Sequence, residues 1–96
     1  MALSGKQRRT LRALGHHLRP VVQVGHSGVT DALVAALEQA LHDHELVKVK
    51  VSENAPGTRA EIASALAGST GSEVAQLLGR TALFYRPRPD DPKIVL

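Results

Sequence analysis

The sequence has 96 residues, of which 43% are apolar and 2% aromatic, and this suits one domain with a modest aliphatic core. It contains no cysteine, which excludes a disulfide framework, a thiolate metal site and a cysteine nucleophile. The formal charge is +3, so an anionic partner is expected only if the basic residues are gathered on one surface.

The first predicted helix begins at a capping box, with Ser4 as N-cap and Gln7 three residues later, and continues to residue 17 or 18. Three leucines share a narrow arc and predict its buried face: Leu11, Leu14 and Leu18. Four basic side chains lie opposite this arc or at its margin: Lys6, Arg8, Arg9 and Arg12. The helix has no acidic residue, whereas solvated faces usually mix both signs. Two interpretations stay open, a solvated face and an anion-binding face.

A predicted strand over residues 21–24 leads into a G-x-x-G loop. The loop residues are Gly25, His26, Ser27 and Gly28. Glycines three apart allow close approach of a ligand to the backbone and positive φ angles. Thr30 or Asp31 can cap the helix that follows, whose first amide groups then favour an anion. A bare G-x-x-G is also a common tight turn, so the loop alone does not decide its role.

The second predicted helix spans residues 31–44, and a strand over residues 46–51 follows it. Alternation along this strand separates two sets of side chains. The valines Val47, Val49 and Val51 point one way, and Lys48 and Lys50 point the other. The lysines mark an open face, which either keeps the sheet soluble and unpaired or contacts a ligand.

A loop over residues 52–57 precedes a third helix, which begins at a capping box of Thr58 and Glu61 and ends near Thr70. Gly71 suits the left-handed residue after the helix. Strands over residues 73–78 and 82–86 form a hairpin with Gly79 and Arg80 in the turn. One of the two rings, Phe84 or Tyr85, is expected in the core and the other in the core or in a stacking position. Three prolines make residues 87–96 an extended tail, docked or loose.

The element order α-β-α-β-α-β-β predicts an α/β protein of the two-layer α+β type, with a four-stranded mixed sheet in a single domain over residues 1–96. The second and third helices are expected on one face of the sheet, with the other face at least partly open. No apolar run approaches the roughly 20 residues of a membrane helix, and no signal peptide is recognisable. We therefore expect a cytoplasmic protein without a membrane contact.

The sequence lacks the patterns of an enzyme. Its five histidines have no metal-ligand spacing: His16, His17, His26, His42 and His44. It has neither the G-x-S-x-G of a hydrolase nor the G-K-[ST] ending of a phosphate-binding P-loop. We expect no catalytic residue, no metal and no cofactor.

Several stretches together carry a family resemblance: residues 3–8, 11–12, 14–16, 20–30, 44–50 and 79–86. They resemble the bacterial YhbY-type proteins, which are stand-alone CRM (chloroplast RNA splicing and ribosome maturation) domains. The resemblance implies a fold similar to the C-terminal domain of bacterial translation initiation factor three, with strand order 1-2-4-3 and an antiparallel fourth strand. It also implies a non-catalytic role in binding ribosomal RNA of large-subunit precursors.

The resemblance further implies an RNA surface on the loop, the first helix and the second strand. Its residues would be Gly25, His26, Ser27, Gly28, Lys6, Arg12, Lys48 and Lys50. Charge placement adds Arg8, Arg9, Arg80 and Arg86. The loop carries His26 and Ser27 where relatives often have a lysine, so loop binding would rest mainly on backbone amides. We expect the protein to be a monomer. The alternative function is a protein-interaction adaptor whose basic first helix docks an acidic partner protein.

Overall fold

The computed structural model describes residues 2–96, and within them it contains three helices and four strands. The helices are α1 (Gly5–Gly15), α2 (Asp31–His44) and α3 (Arg59–Thr70). The strands are β1 (Val22–Val24), β2 (Leu46–Val51), β3 (Glu73–Leu78) and β4 (Thr81–Tyr85). The predicted element order and the α+β class are confirmed.

The four strands form one mixed sheet in the order β1-β2-β4-β3. Strand β1 is parallel to β2, and β4 is antiparallel to both β2 and β3. This is the strand order that the family resemblance implies. A bulge interrupts the β3–β4 pairing between Val74 and Gln76, which the sequence pattern did not predict.

Helices α2 and α3 cover one face of the sheet and enclose the main core. Leu37 and Leu41 of α2 and Leu66 of α3 are fully buried there. They pack with the alternating apolar side chains of the strands, including Val49 and Phe84. Each of the five fully buried side chains contributes roughly 1.5–3 kcal/mol of hydrophobic stabilisation.

Helix α1 lies on the opposite face, over a smaller cluster that contains Leu11, Leu83 and Tyr85. Gly15 brings the helix close, because a Cβ atom there would lie 2.5 Å from Cδ2 of Leu83. The buried side of α1 is therefore centred on positions 11 and 15. The prediction that Leu14 and Leu18 are core residues is wrong, since they are 45% and 38% exposed.

Helix α1 also ends earlier than predicted, at Gly15. His16 is its C-cap, and its N–H donates to the carbonyl of Arg12. The N–H of Leu18 then donates to the carbonyl of Gly15, which turns the chain toward Pro20. A residue that precedes proline avoids the helical region, and this limits any extension of the helix.

The local signals of the other elements are confirmed. Both capping boxes form, at Ser4 and at Thr58, and Thr30 caps α2 by accepting from the N–H of Leu33. Gly71 has a φ of 65°. The hairpin pairs Leu78 with Thr81 across a two-residue turn.

The C-terminal tail is docked, which settles an alternative that the sequence left open. Its attachment point is Glu45, which is fully buried between α2 and β2 and has a φ of 64°. The Glu45 carboxylate accepts from the backbone N–H groups of Arg88, Lys93 and Ile94 at 2.9, 2.6 and 3.1 Å. The Arg88 guanidinium donates to the carbonyls of His42 and Asp43, which the end of α2 leaves without helical partners.

This docking sets the ionisation of Glu45. Burial raises the pKa of the Glu45 carboxyl, but the hydrogen bonds from the three backbone N–H groups and the nearby Arg88 charge lower it, and the net pKa is below its ordinary value. The carboxylate is therefore the form that the docked tail favours.

Both aromatic rings are buried, Phe84 at 0% and Tyr85 at 3% exposure, so neither is available for stacking. Burial, with a smaller contribution from Glu45, raises the pKa of the Tyr85 hydroxyl. Over residues 2–96, the helices are too short or too polar to cross a bilayer.

Candidate nucleic-acid interface

Three loops meet at one end of the sheet. The G-x-x-G loop follows β1, and the N–H of Ser52, which opens the β2–α3 loop, donates to the carbonyl of Val24 at 2.9 Å. The N–H of Val51 donates to the carbonyl of Arg80 in the hairpin turn at 2.7 Å. These bonds place the glycine loop and the turn on either side of the end of β2.

Gly28 is required by the fold itself. Its φ is 68°, and a Cβ atom on it would lie 3.0 Å from Cγ of Pro56 in the β2–α3 loop. The Gly28 N–H donates to the carbonyl of Gly25 at 3.0 Å and closes the turn. His26 and Ser27 lie at its tip and are exposed.

Gly25 has no such structural reason. It is not among the residues with positive φ, and a Cβ atom on it would meet nothing within 4 Å. The fold would therefore accept a side chain at Gly25. A glycine in open space leaves the backbone accessible to a ligand.

The start of α2 is less favourable to an anion than the sequence suggested. Thr30 takes the cap position, so Asp31 lies in the first turn as an exposed carboxylate. Its negative charge partly neutralises the positive end of the helix dipole, which then attracts another anion less strongly. Any anion near the loop would depend on the loop amides and on the neighbouring cations.

Lys48 and Lys50 lie on the sheet face that α1 leaves partly open, as predicted. Lys50 is exposed and Lys48 is half-buried. Lys50 pairs with Gln23 of β1 on one side and with Thr81 of β4 on the other. It lines a groove of about 500 Å³ together with Gln23 and Arg80.

Arg19 is a basic residue of this surface that the sequence analysis missed. A second groove of about 470 Å³ is lined by Arg19, Gln23 and Lys50, so the two grooves meet at Gln23 and Lys50. Arg19 falls in the connection between α1 and β1, where no periodicity predicts the direction of a side chain. Its position three residues before β1, the strand that pairs with the lysine strand, was the available signal.

We use the name basic strip for four cations on this side of the sheet: Arg19, Lys50 and Arg80, which line the two grooves, and Lys48, which lies two residues before Lys50 on β2. One carboxylate of the grooves pairs with the strip, since Oε1 of Glu53 lies 3.6 Å from Nη2 of Arg80. The two side chains are 83% and 49% exposed, so this ion pair is weak and open to exchange. The basic strip thus keeps a net positive charge beside the glycine loop.

Helix α1 approaches the basic strip at its last turn, which contains Arg12. Lys6, Arg9 and Arg12 are exposed. The last turn of α1 contains Arg12 and lies against Leu83, the β4 residue that pairs with Lys48. The outer face of α1 therefore adjoins the strip at that turn.

Two predicted surface residues lie elsewhere. Arg8 turns toward the sheet and donates to the carbonyl of Val74 in β3, because α1 buries the side of positions 11 and 15 and position 8 adjoins them. Arg86 follows the far end of β4, where it forms an ion pair with Glu38 and donates to the carbonyl of Thr70 at 2.8 Å. The structure does not bring either guanidinium to the basic strip.

The described residues contain no group of three or more His, Asp or Glu side chains placed to hold a metal ion. The chemistry that this surface supports is the binding of an extended anion along its cations and beside the glycine loop.

Comparison with known proteins identifies the family. A family model of the CRS1 / YhbY (CRM) domain matches residues 3–86. The chain belongs to the CRS1 / YhbY (CRM) domain family. The matched range covers all three helices and all four strands that the structure describes, and residues 1–2 and the docked tail lie outside it.

Two relatives and one solved structure are similar to this chain over most of their own length. The chain is 39% identical over 93 residues to "Probable RNA-binding protein PA4753" of Pseudomonas aeruginosa, covering 97% of this chain and 89% of that protein. It is 37% identical over 94 residues to "Probable RNA-binding protein YqeI" of Bacillus subtilis, covering 98% of each. The solution structure of the hypothetical protein SAV1595 from Staphylococcus aureus superposes with a TM-score of 0.84 at 34% identity, covering 99% of both chains.

Proposed function

We propose that this CRM domain is a non-catalytic RNA-binding protein, and that it serves assembly of the large ribosomal subunit by binding precursor ribosomal RNA. The observation that carries the proposal is the basic strip beside the G-x-x-G loop. The names of the two curated relatives support RNA as the ligand. The ribosomal part rests on the resemblance to YhbY-type proteins.

The composition of the strip favours contact with phosphates over reading of bases. Lys and Arg side chains neutralise backbone phosphates, and they do so without regard to sequence. The chain has one Phe and one Tyr, both buried, so those rings offer no platform for unstacked bases. A helical or otherwise structured RNA, presented through its phosphates, fits such a surface.

The G-x-x-G loop would add backbone contacts to this surface. Gly25 leaves its backbone open, and the exposed His26 and Ser27 supply hydrogen-bonding side chains at the tip. The loop adjoins Lys50 through the β1–β2 pairing. One RNA backbone could therefore touch the loop and the basic strip together.

The test is co-sedimentation of the purified protein with large-subunit precursor particles, with and without ribonuclease treatment. We expect co-sedimentation that ribonuclease abolishes, and that the double variant Lys50→Gln/Arg80→Gln reduces. Lys93→Gln is the matched control, since Lys93 is an exposed cation of the tail near the opposite end of β2. Binding that persists after complete RNA digestion would favour the adaptor function instead.

A further inference from the structure

An apolar groove lies on the α1 side of the sheet, at the Leu46 end of β2, and it shares Arg19 and Val21 with the second of the two basic grooves. Its volume is about 410 Å³, within the range of roughly 300–1,000 Å³ that ligand sites usually have. Aliphatic side chains form most of its lining: Leu14, Leu18, Val21, Leu46 and Ile94. The G-x-x-G loop meets the other end of β2, so this groove is distinct from the loop.

Three of these side chains are unusually exposed. Leu14, Leu18 and Val21 are 45%, 38% and 60% exposed. Single exposed apolar residues need no explanation, but several gathered in one concave site mark a binding surface. They come from the end of α1 and the segment before β1, which the turn after Gly15 brings together.

The rim of the groove is positively charged. Arg19 and Lys48 line it together with His44, and the side chains that line it include no carboxylate. A partner with acidic groups beside its apolar ones would match both the lining and the rim. Charge complementarity of this kind selects partners more than it adds affinity.

We propose that this groove docks a short protein segment in which adjacent apolar side chains are flanked by carboxylates. The lining favours a protein segment over a nucleobase. Recognition of an unstacked base uses ring stacking and hydrogen bonds to base edges. Leu, Val and Ile, which form most of the lining, offer neither and suit the leucine-sized side chains of a peptide. Of the residues that line the groove, only Arg19 and His44 have stacking groups. Arg19 and Lys48 belong both to the groove lining and to the basic strip, so the partner segment and the RNA would share these two cations.

The experiment uses the full chain and a capped peptide of two adjacent leucines flanked on both sides by aspartates. Fluorescence anisotropy measures its affinity, beside two matched peptides, one with serines for the leucines and one with lysines for the aspartates. We expect the acidic leucine peptide to bind about tenfold or more tightly than either control, since each control removes one of the two matched features.

Variants of the protein locate the site. Leu14→Ser/Leu18→Ser should weaken binding of the acidic leucine peptide about tenfold. Leu78→Ser, an apolar residue of the hairpin that is 64% exposed, is the matched control and should bind as the parent does. Arg19→Glu should weaken binding of the acidic leucine peptide and strengthen binding of the lysine peptide. This variant provides the test if Leu14→Ser/Leu18→Ser does not fold.

Each of three other results would overturn the proposal. Equal binding of all three peptides would show that the groove has no such preference. An RNA oligonucleotide that shifts the methyl signals of Leu18 and Val21, and loses affinity in Leu14→Ser/Leu18→Ser, would assign the groove to a nucleobase. Concentration-dependent dimerisation that the same variant abolishes would assign it to a second copy of this chain.

Discussion

The backbone N–H of Lys93 donates to Oε1 of Glu45 at 2.6 Å, across 48 residues of sequence. This bond and its two neighbours from Arg88 and Ile94 attach the tail at the junction of α2 and β2. Ile94 packs with the cluster under α1 and also lines the apolar groove. One buried carboxylate thus holds the tail beside a candidate protein-docking site.

Acidification should therefore weaken the fold through Glu45. The pKa of this carboxyl is below 4.5 in the folded protein, so its stabilising effect is complete above that pH and is lost as the pH falls through the folded pKa. Thermal melts between pH 7 and pH 3 should show a loss of stability that the Glu45→Gln variant shows to a smaller degree. At pH 7 that variant should be less stable by on the order of 2 kcal/mol, the scale of one hydrogen bond to a charged group. If the stability of the parent and of Glu45→Gln falls equally between pH 7 and pH 3, Glu45 does not cause the loss of stability in acid.

Gly15→Ala should destabilise the protein. The added Cβ would meet the buried Leu83 side chain at 2.5 Å, so α1 must shift or Leu83 must repack, at a cost of about 1–3 kcal/mol. Gly68→Ala in α3 is the matched control, because a Cβ there meets nothing within 4 Å. It should stabilise the helix by roughly 0.5–1 kcal/mol. Chemical denaturation of both variants measures the difference, and equal effects would show that α1 packs loosely.

The two loop glycines should separate binding from folding. Gly25→Ala should fold as the parent does, within about 0.5 kcal/mol, and should bind RNA more weakly because a methyl group in that open space limits the approach of RNA to the loop backbone. Gly28→Ala should lose about 1–2 kcal/mol of stability, since its φ of 68° disfavours a side chain. Filter binding and thermal melts report the two properties. Unchanged RNA affinity in Gly25→Ala would make the loop a turn and no more.

Replacing cations of the basic strip should change the salt dependence of RNA binding, whereas replacing Arg86 should not. Removal of one cation that neutralises a phosphate should reduce the slope of log affinity against log salt by about 1, so Lys50→Gln/Arg80→Gln should reduce it by about 2. Arg86→Gln should leave the slope unchanged and lower the melting temperature, because Arg86 is held by Glu38 and Thr70. A smaller slope in Arg86→Gln would return this residue to the RNA surface.

Local signals predicted most of the fold. The capping residues, Gly71 and the alternation of Val47 with Lys48 depend on neighbours in sequence, and the structure confirms them. The rotation of α1 depends instead on which strand it meets, and the close approach at Gly15 buries Leu11 while leaving Leu14 exposed. The predicted leucine arc could not reveal this.

The sequence predicted the direction of the basic side chains that lie on strands, but not of those that lie in loops. Lys48 and Lys50 follow strand alternation. Arg19 lies in a connection, and Arg86 has its direction set by a distant carboxylate at Glu38. The role of Glu45 was also hidden, since a charged residue between a helix and a strand normally lies in solvent.

The most direct test of the RNA-binding account is a titration of the isotope-labelled full chain with a structured fragment of large-subunit precursor RNA, followed by amide chemical shifts. The account predicts shift changes in the G-x-x-G loop, at Lys48 and Lys50, at Arg80 and at Arg19, with little change at Arg86 or Glu38. Shift changes confined to the Arg86 side of the molecule, or none at all at low salt, would contradict it.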